Sequence, residues 1–154
     1  MFKRVIAPLV GALLLGLAAV APAAASTPQV YTWSNPVDVA YFDCGAFEAH
    51  GVWTITHRLT IFVDGSGTPV RDIERVDFRG AFVNPLTGAS IPDGGHIEYF
   101  DTLDPDGDIA TTIKTFVRNN PYLHEAGRYD FQTDAFSGMS RFDAGVAAAC
   151  AALG

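Results

Sequence analysis

The chain has 154 residues and a formal net charge of -7, with 49% hydrophobic, 12% aromatic and 18% charged residues. This acidic balance excludes a protein that binds nucleic acid through the phosphate backbone, because such a protein needs a basic face. The length excludes a second domain of ordinary size.

The first 25 residues have the pattern of a secretory signal peptide. Lys3 and Arg4 supply a positive start, residues 5–20 are apolar, and residues 23–25 are three alanines that fit a cleavage site. The apolar run is too short for a comfortable membrane span. We therefore predict cleavage after Ala25 and an exported bacterial domain over residues 26–154. Removal of Lys3 and Arg4 leaves 8 of the 10 basic residues against all 17 acidic ones.

The two cysteines agree with export. Cys44 lies near the start of the predicted mature chain and Cys150 near its end. An even cysteine count in an oxidising compartment favours one disulfide over two free thiols. Neither cysteine has a histidine at metal-ligand spacing, so a metal site is disfavoured.

Most of the remaining chain shows strand and turn patterns. Residues 52–63 alternate with a period of two and carry β-branched residues on both faces, which indicates a half-buried strand. Residues 64–67, DGSG, form a hairpin-type turn into a return strand over 70–83, in which Gly80 suggests a bulge. Residues 84–88, NPLTG, predict another turn.

Further strands follow the same pattern. The predicted segments are 30–33 and 37–42 upstream, then 96–103, 109–118 and 127–133. In the segment 109–118, Ile113 and Val117 alternate with Lys114 and Arg118. Residues 137–140 are predicted to be a loop, followed by a short helix with Asp143 as its N-cap.

Strands joined by turns without a long crossover predict an all-β fold. We expect a small antiparallel up-and-down β-barrel with a short C-terminal helix, because a closed barrel leaves no exposed strand edge. A β-sandwich is the alternative.

Three short motifs resemble those of small secreted actinobacterial β-proteins of unknown function. They are residues 43–47 (DCGAF), 84–88 (NPLTG) and 150–154 (CAALG). The resemblance implies secretion and a mostly β fold, and it implies no activity.

The most informative polar residue is His57, which shares the apolar face of its strand with Ile55 and Leu59. An imidazole there needs a hydrogen-bond partner, since an unpaired buried polar group is costly. Glu74 shares a face with Val76 in the return strand and is the best acidic partner, with Asp72 on the same face as the alternative. This pair predicts either a satisfied interior histidine or a general base with its carboxylate.

The sequence predicts no metal site and no cofactor. Residues 104–108, DPDGD, begin like a calcium loop, but Ile109 and Thr115 stand where glycine and glutamate are required. The histidines His50, His57, His96 and His124 lack metal-ligand spacing. No nucleophile elbow, phosphate loop or dinucleotide motif is present.

Two functions fit these observations. The first is a secreted, non-catalytic binding or interaction module whose β-barrel holds a small apolar ligand or presents a surface to a partner. The second is an enzyme of isomerase, cyclase or hydrolase type that uses His57 and a carboxylate in the barrel lumen. We prefer binding, because the sequence contains no established catalytic constellation.

Overall fold

The computed structural model describes residues 27–154, so the predicted signal peptide lies outside the described residues. The chain forms seven strands and one helix. These are β1 Gln29–Asp43, β2 Glu48–Val63, β3 Pro69–Val83, β4 Ser90–Leu103, β5 Ile109–Arg118, β6 Glu125–Asp130, β7 Ala135–Ser140 and α1 Phe142–Leu153. In the described part of the chain, no helix is long and apolar enough to cross a membrane.

All seven strands belong to one antiparallel sheet in sequential order. This confirms the all-β fold, the sequential hairpins and the C-terminal helix. The sheet does not close into a barrel, because β1 and β7 stay at its two edges in the described range. Closure requires a hydrogen-bonded ladder between the first and last strands.

The strand registers divide the side chains between two faces. Trp53 and Ile55 of β2, Phe78 of β3, Ile97 of β4 and Phe116 of β5 lie on one face, which we call the inner face. The outer face is polar and carries, for example, the ion pairs of Arg75 with Glu98 and of His96 with Asp77.

The hydrophobic core lies at one end of the inner face, where α1 packs against the sheet. Phe42, Phe82 and Ile91 of the strands meet Ala149 and Leu153 of the helix. The helix is tied there by the disulfide between Cys44 and Cys150. Asn84 Nδ2 also donates a hydrogen bond to the carbonyl of Leu153, at 3.2 Å, which satisfies one of the unpaired carbonyls at the helix end.

Several local predictions need correction. Residues 30–33 and 37–42 are both strand, as predicted, but they form one continuous strand through Pro36, because an edge strand tolerates the missing N–H. Gly80 is not a bulge: it pairs with Trp53, and a Cβ there would lie 1.9 Å from the Val52 carbonyl oxygen. The glycine therefore permits close contact between β2 and β3.

The C-terminal part of the sheet also differs from the sequence prediction. Residues 137–140 belong to strand β7, which pairs with β6 although its residues are exposed. β6 ends at Asp130, and a turn follows in which Asp134 has a positive φ of 53°. Helix α1 begins at Phe142 without a side-chain cap, and Asp143 lies within its first turn. Its carboxylate there faces the positive end of the helix dipole.

Candidate functional site: an aromatic groove on the inner face

A buried polar network marks the inner face beside the core. Asp93 of β4 has a side chain that is 0% exposed. Its carboxylate accepts hydrogen bonds from Trp53 Nε1 at 2.9 Å and from Asn120 Nδ2 at 3.2 Å. Burial raises the pKa of the Asp93 carboxyl, although the Arg118 charge and these two hydrogen bonds act in the opposite direction.

Arg118 at the end of β5 is the cation that faces this carboxylate. Its side chain is only 10% exposed, with Nε 3.7 Å from Asp93 Oδ1 and Nη1 3.8 Å from Glu125 Oε2. Nη2 donates a hydrogen bond to the Tyr41 hydroxyl at 2.7 Å. Nη1 is buried and has no hydrogen-bond partner among the described residues. The positive charge of Arg118 is therefore balanced by two carboxylates.

Aromatic rings surround the same guanidinium group. The Arg118 Cζ lies 5.1 Å from the ring centroid of Tyr41, 5.5 Å from that of Phe78, 5.6 Å from that of Phe82 and 5.7 Å from that of Phe142. A cation at this distance from a ring is attracted by its π electrons when it lies over the ring face. These contacts hold the side chain in place across the inner face.

Three adjoining cavities extend from this network along the inner face. The first has a volume of about 140 Å³ and the second about 180 Å³, and they share Tyr41, Phe78, Ile97 and Arg118 in their walls. The third, of about 470 Å³, shares Lys114, Phe116 and Glu125 with the second. We call the three together the aromatic groove.

The outer part of the aromatic groove, over β5 to β7, is lined mainly by rings. Phe116 and Phe136 are stacked with centroids 6.0 Å apart, and Tyr129 meets Phe131 edge-on at 4.8 Å. Gly127 is directly opposite Phe116 in the register, and a Cβ there would lie 2.4 Å from the Phe136 ring. The glycine thus leaves space for the ring.

Lys114 lies in the wall between the second and third cavities. Its Nζ is 5.3 Å from the Phe116 centroid and 5.8 Å from the Tyr99 centroid. Within residues 27–154 its ammonium group forms no ion pair and no side-chain hydrogen bond. The residue is therefore a cation among rings without a carboxylate partner.

The structure brings together the two residues singled out in the sequence, His57 and Glu74. His57 Nδ1 donates a hydrogen bond to Glu74 Oε1 at 2.8 Å, and the imidazole side chain is 21% exposed. Trp33 of β1 stacks on the imidazole ring with a centroid distance of 4.7 Å and an interplanar angle of 3°. Neither His57 nor Glu74 lies in a wall of the aromatic groove.

Acidic residues lie on the inner face next to Glu74. Asp72 of β3 and Asp101 of β4 are directly opposite each other in the register. Burial, followed by repulsion from Asp101 and from Glu74, raises the pKa of the Asp72 carboxyl. Burial and the same two acidic neighbours also raise the pKa of the Tyr99 hydroxyl. This end of the inner face therefore carries negative charge, whereas the neighbouring Lys114 carries a positive charge.

The candidate calcium segment is a hairpin turn. Asp104 Oδ1 accepts hydrogen bonds from the backbone N–H groups of Asp106 and Asp108, each at 3.0 Å. Turns in which the side chain accepts hydrogen bonds from nearby backbone N–H groups are typical of aspartate. Across the described range, no three histidine, cysteine, aspartate or glutamate side chains converge as metal ligands would.

Sequence reasoning did not identify Tyr41, Asp93, Arg118 or Lys114 as site residues. In β5 the alternation places Val117 and Arg118 on opposite faces, and it is the arginine that is buried. One usable signal was an acidic residue among apolar ones. Asp93 lies in a strand that also contributes Ile91 and Ile97 to the inner face. Comparison of the chain with protein-family models, curated proteins and solved structures found no match.

Proposed function

We propose that this protein is a secreted, non-catalytic module that binds a small apolar molecule in the aromatic groove. The observation that carries the proposal is the chain of adjoining cavities lined by Tyr41, Phe78, Ile97 and Phe116. An apolar cavity of about 150 Å³ is large enough to hold benzene. The first two cavities, at about 140 and 180 Å³, are of that size. A ligand of one or two rings therefore fits the groove.

The partly closed sheet supports the same proposal. Ligand sites are concave, mostly apolar and fitted with a few polar groups that orient the ligand. β1 and β7 are the two edges of the sheet and do not pair with each other, so the inner face stays accessible. We infer that the inner face acts as the interior of a partial barrel.

Tryptophan fluorescence tests this proposal directly. The chain has two tryptophans, and Trp53 lines the first cavity. In a Trp33→Phe background, titration with the neutral probe 2-acetylnaphthalene should change the Trp53 emission saturably. Ile97→Phe, which fills the space between Phe78 and Phe116, should weaken binding at least about tenfold. Val30→Phe, a similar enlargement at an exposed position of β1 that lies in no wall of the groove, should leave it unchanged. No saturable change with this probe or with a negatively charged naphthalene would exclude the proposed function.

Secretion is part of the proposal and has its own test. The disulfide is compatible with an oxidising, extracellular compartment. Expression with the native N-terminus should release into the medium a protein whose mass corresponds to residues 26–154. A protein retained in the cell at full length would contradict export by this segment.

A hydrolytic or isomerising enzyme is the second candidate, and the His57–Glu74 hydrogen bond favours it. A carboxylate that holds Nδ1 of a histidine orients the ring and leaves Nε2 for proton transfer. Because neither residue lines the aromatic groove, a ligand bound there would not meet this base. Turnover of a groove ligand that is lost in His57→Gln would favour the enzyme over the binding module.

A further inference from the structure

We propose that the ligand of the aromatic groove is a planar aromatic carboxylate whose anionic group binds Lys114. This inference rests on the proposed function and adds the chemical class of the ligand. It follows from the charges around the groove and from the shape of its outer part.

The two positively charged residues of the groove differ in whether a carboxylate lies beside them. Arg118 lies within 4 Å of Asp93 and Glu125, so its charge is already balanced. Lys114 has only ring contacts in residues 27–154, although an ammonium group offers three hydrogen-bond donors. A bound carboxylate would supply both the missing charge and the missing acceptors.

The neighbours of Lys114 also determine where the anion lies. On one side the lysine faces Tyr99, which is close to the charges of Glu74 and Asp101. On the other side are Phe116 and the open third cavity, whose wall also contains Glu125. The Glu125 carboxylate is already engaged by Arg118 Nη1 at 3.8 Å and by the Ser140 hydroxyl at 3.0 Å. Repulsion by Glu74 and Asp101 therefore directs the ligand carboxylate to the Phe116 side.

The outer rings favour a planar ligand. Phe116, Tyr129, Phe131 and Phe136 line a cavity of about 470 Å³. Ring faces and edges gain most from another ring in a stacked or edge-on arrangement. Phe131 and Phe136 are also about half exposed, so a ligand there would cover apolar surface now in contact with water.

Two nearly isosteric probes test the proposal by calorimetry. The anion 2-naphthoate should bind at least about tenfold more tightly than the neutral ketone 2-acetylnaphthalene. Lys114→Met should abolish this preference and Lys114→Arg should retain it within about threefold. A far-ultraviolet circular dichroism spectrum and a urea midpoint equal to those of the parent would show that Lys114→Met is folded. The matched control is Arg128→Met, which removes a positive charge from the outer face of β6 and should leave the preference intact.

Three other outcomes would overturn the proposal. Equal binding of both probes, unaffected by Lys114→Met, would contradict the anionic ligand while the proposed function stands. Failure of both probes to bind would contradict the ligand and the proposed function together. A stable dimer in sedimentation that 2-naphthoate does not dissociate, and that Phe136→Ser dissociates, would assign the groove to a second copy of the chain.

Discussion

The Tyr41 hydroxyl in β1 accepts a hydrogen bond from Arg118 Nη2 in β5 at 2.7 Å. The two strands are four positions apart in the sheet order. At about 4.8 Å between neighbouring strands, they would lie about 19 Å apart in a flat sheet. The contact therefore shows that the sheet curls until its first and fifth strands face each other across the inner face.

Arg118→Met should strongly destabilise the fold. The substitution leaves the buried Asp93 carboxylate without its cation, and removal of one member of a buried ion pair costs about 3–5 kcal/mol. The free energy of unfolding, measured by urea titration at pH 7, checks this value. Tyr41→Phe removes one hydrogen bond from the same arginine and should cost about 1 kcal/mol.

A double variant separates the charge effect from lost packing. Asp93→Asn in the Arg118→Met background removes the unpaired negative charge and should recover part of the lost stability. The exposed Arg128→Met should change stability by less than about 0.5 kcal/mol. An Arg118→Met protein as stable as the parent would mean that the buried pair is not needed for the fold.

Loss of the disulfide should destabilise the protein by about 4–5 kcal/mol on the chain-entropy account, because the bridge closes a loop of about 100 residues. Cys44 and Cys150 are separated by 106 positions. The Cys44→Ala/Cys150→Ala variant, compared with the oxidised parent in urea, measures the difference. Alkylation of denatured, unreduced parent should add no label. Two added labels would contradict the bridge.

Asp72→Asn should stabilise the protein at pH 7. Because the folded-state pKa of Asp72 is raised above 3.8, the folded state binds more protons than the unfolded state between the two values. Stability from this group is therefore lost as the pH rises through that window. The variant removes the repulsion, so its advantage should reach up to about 1 kcal/mol at pH 7 and vanish as the pH falls to 3.8.

The control for this experiment is Asp77→Asn. Asp77 is on the outer face of the same strand and accepts a hydrogen bond from His96 Nδ1 at 3.0 Å. Its removal should not stabilise the protein at any pH. An Asp72→Asn variant less stable than the parent at pH 7 would contradict the repulsion.

Gly51→Ala should displace the Trp53 indole. A Cβ at Gly51 would lie 1.8 Å from the indole ring, which at present donates to Asp93 at 2.9 Å. Overpacking of this kind costs about 1–3 kcal/mol. Chemical unfolding measures the cost, and a shift of Trp53 emission in a Trp33→Phe background reports the movement. Gly65→Ala, where a Cβ meets nothing within 4 Å, should have no effect on either measurement.

The sequence alone determined the features that depend on local chemistry. The period-two alternation in residues 52–63 identified the apolar face, and His57 and Glu74 share that face as their parity requires. Whether the two side chains form a hydrogen bond then depended only on the register between β2 and β3. The disulfide followed from the even cysteine count, and the turns at residues 64–67 and 84–88 followed from their glycine, proline and aspartate residues.

Only the tertiary structure decided which residues meet across the inner face. Alternation assigns a residue to a face, but it carries no distance between strands that are not neighbours. Asp93 is a diagonal neighbour of Arg118 on the adjacent strand β4, two residues from its register partner Gly95. Tyr41 lies on β1, and only the curvature of the sheet brings it to Arg118. The same limit applies to β7, whose exposed residues form a strand because β6 offers a free edge. Local patterns therefore defined the strands, while the curvature of the assembled sheet created the groove.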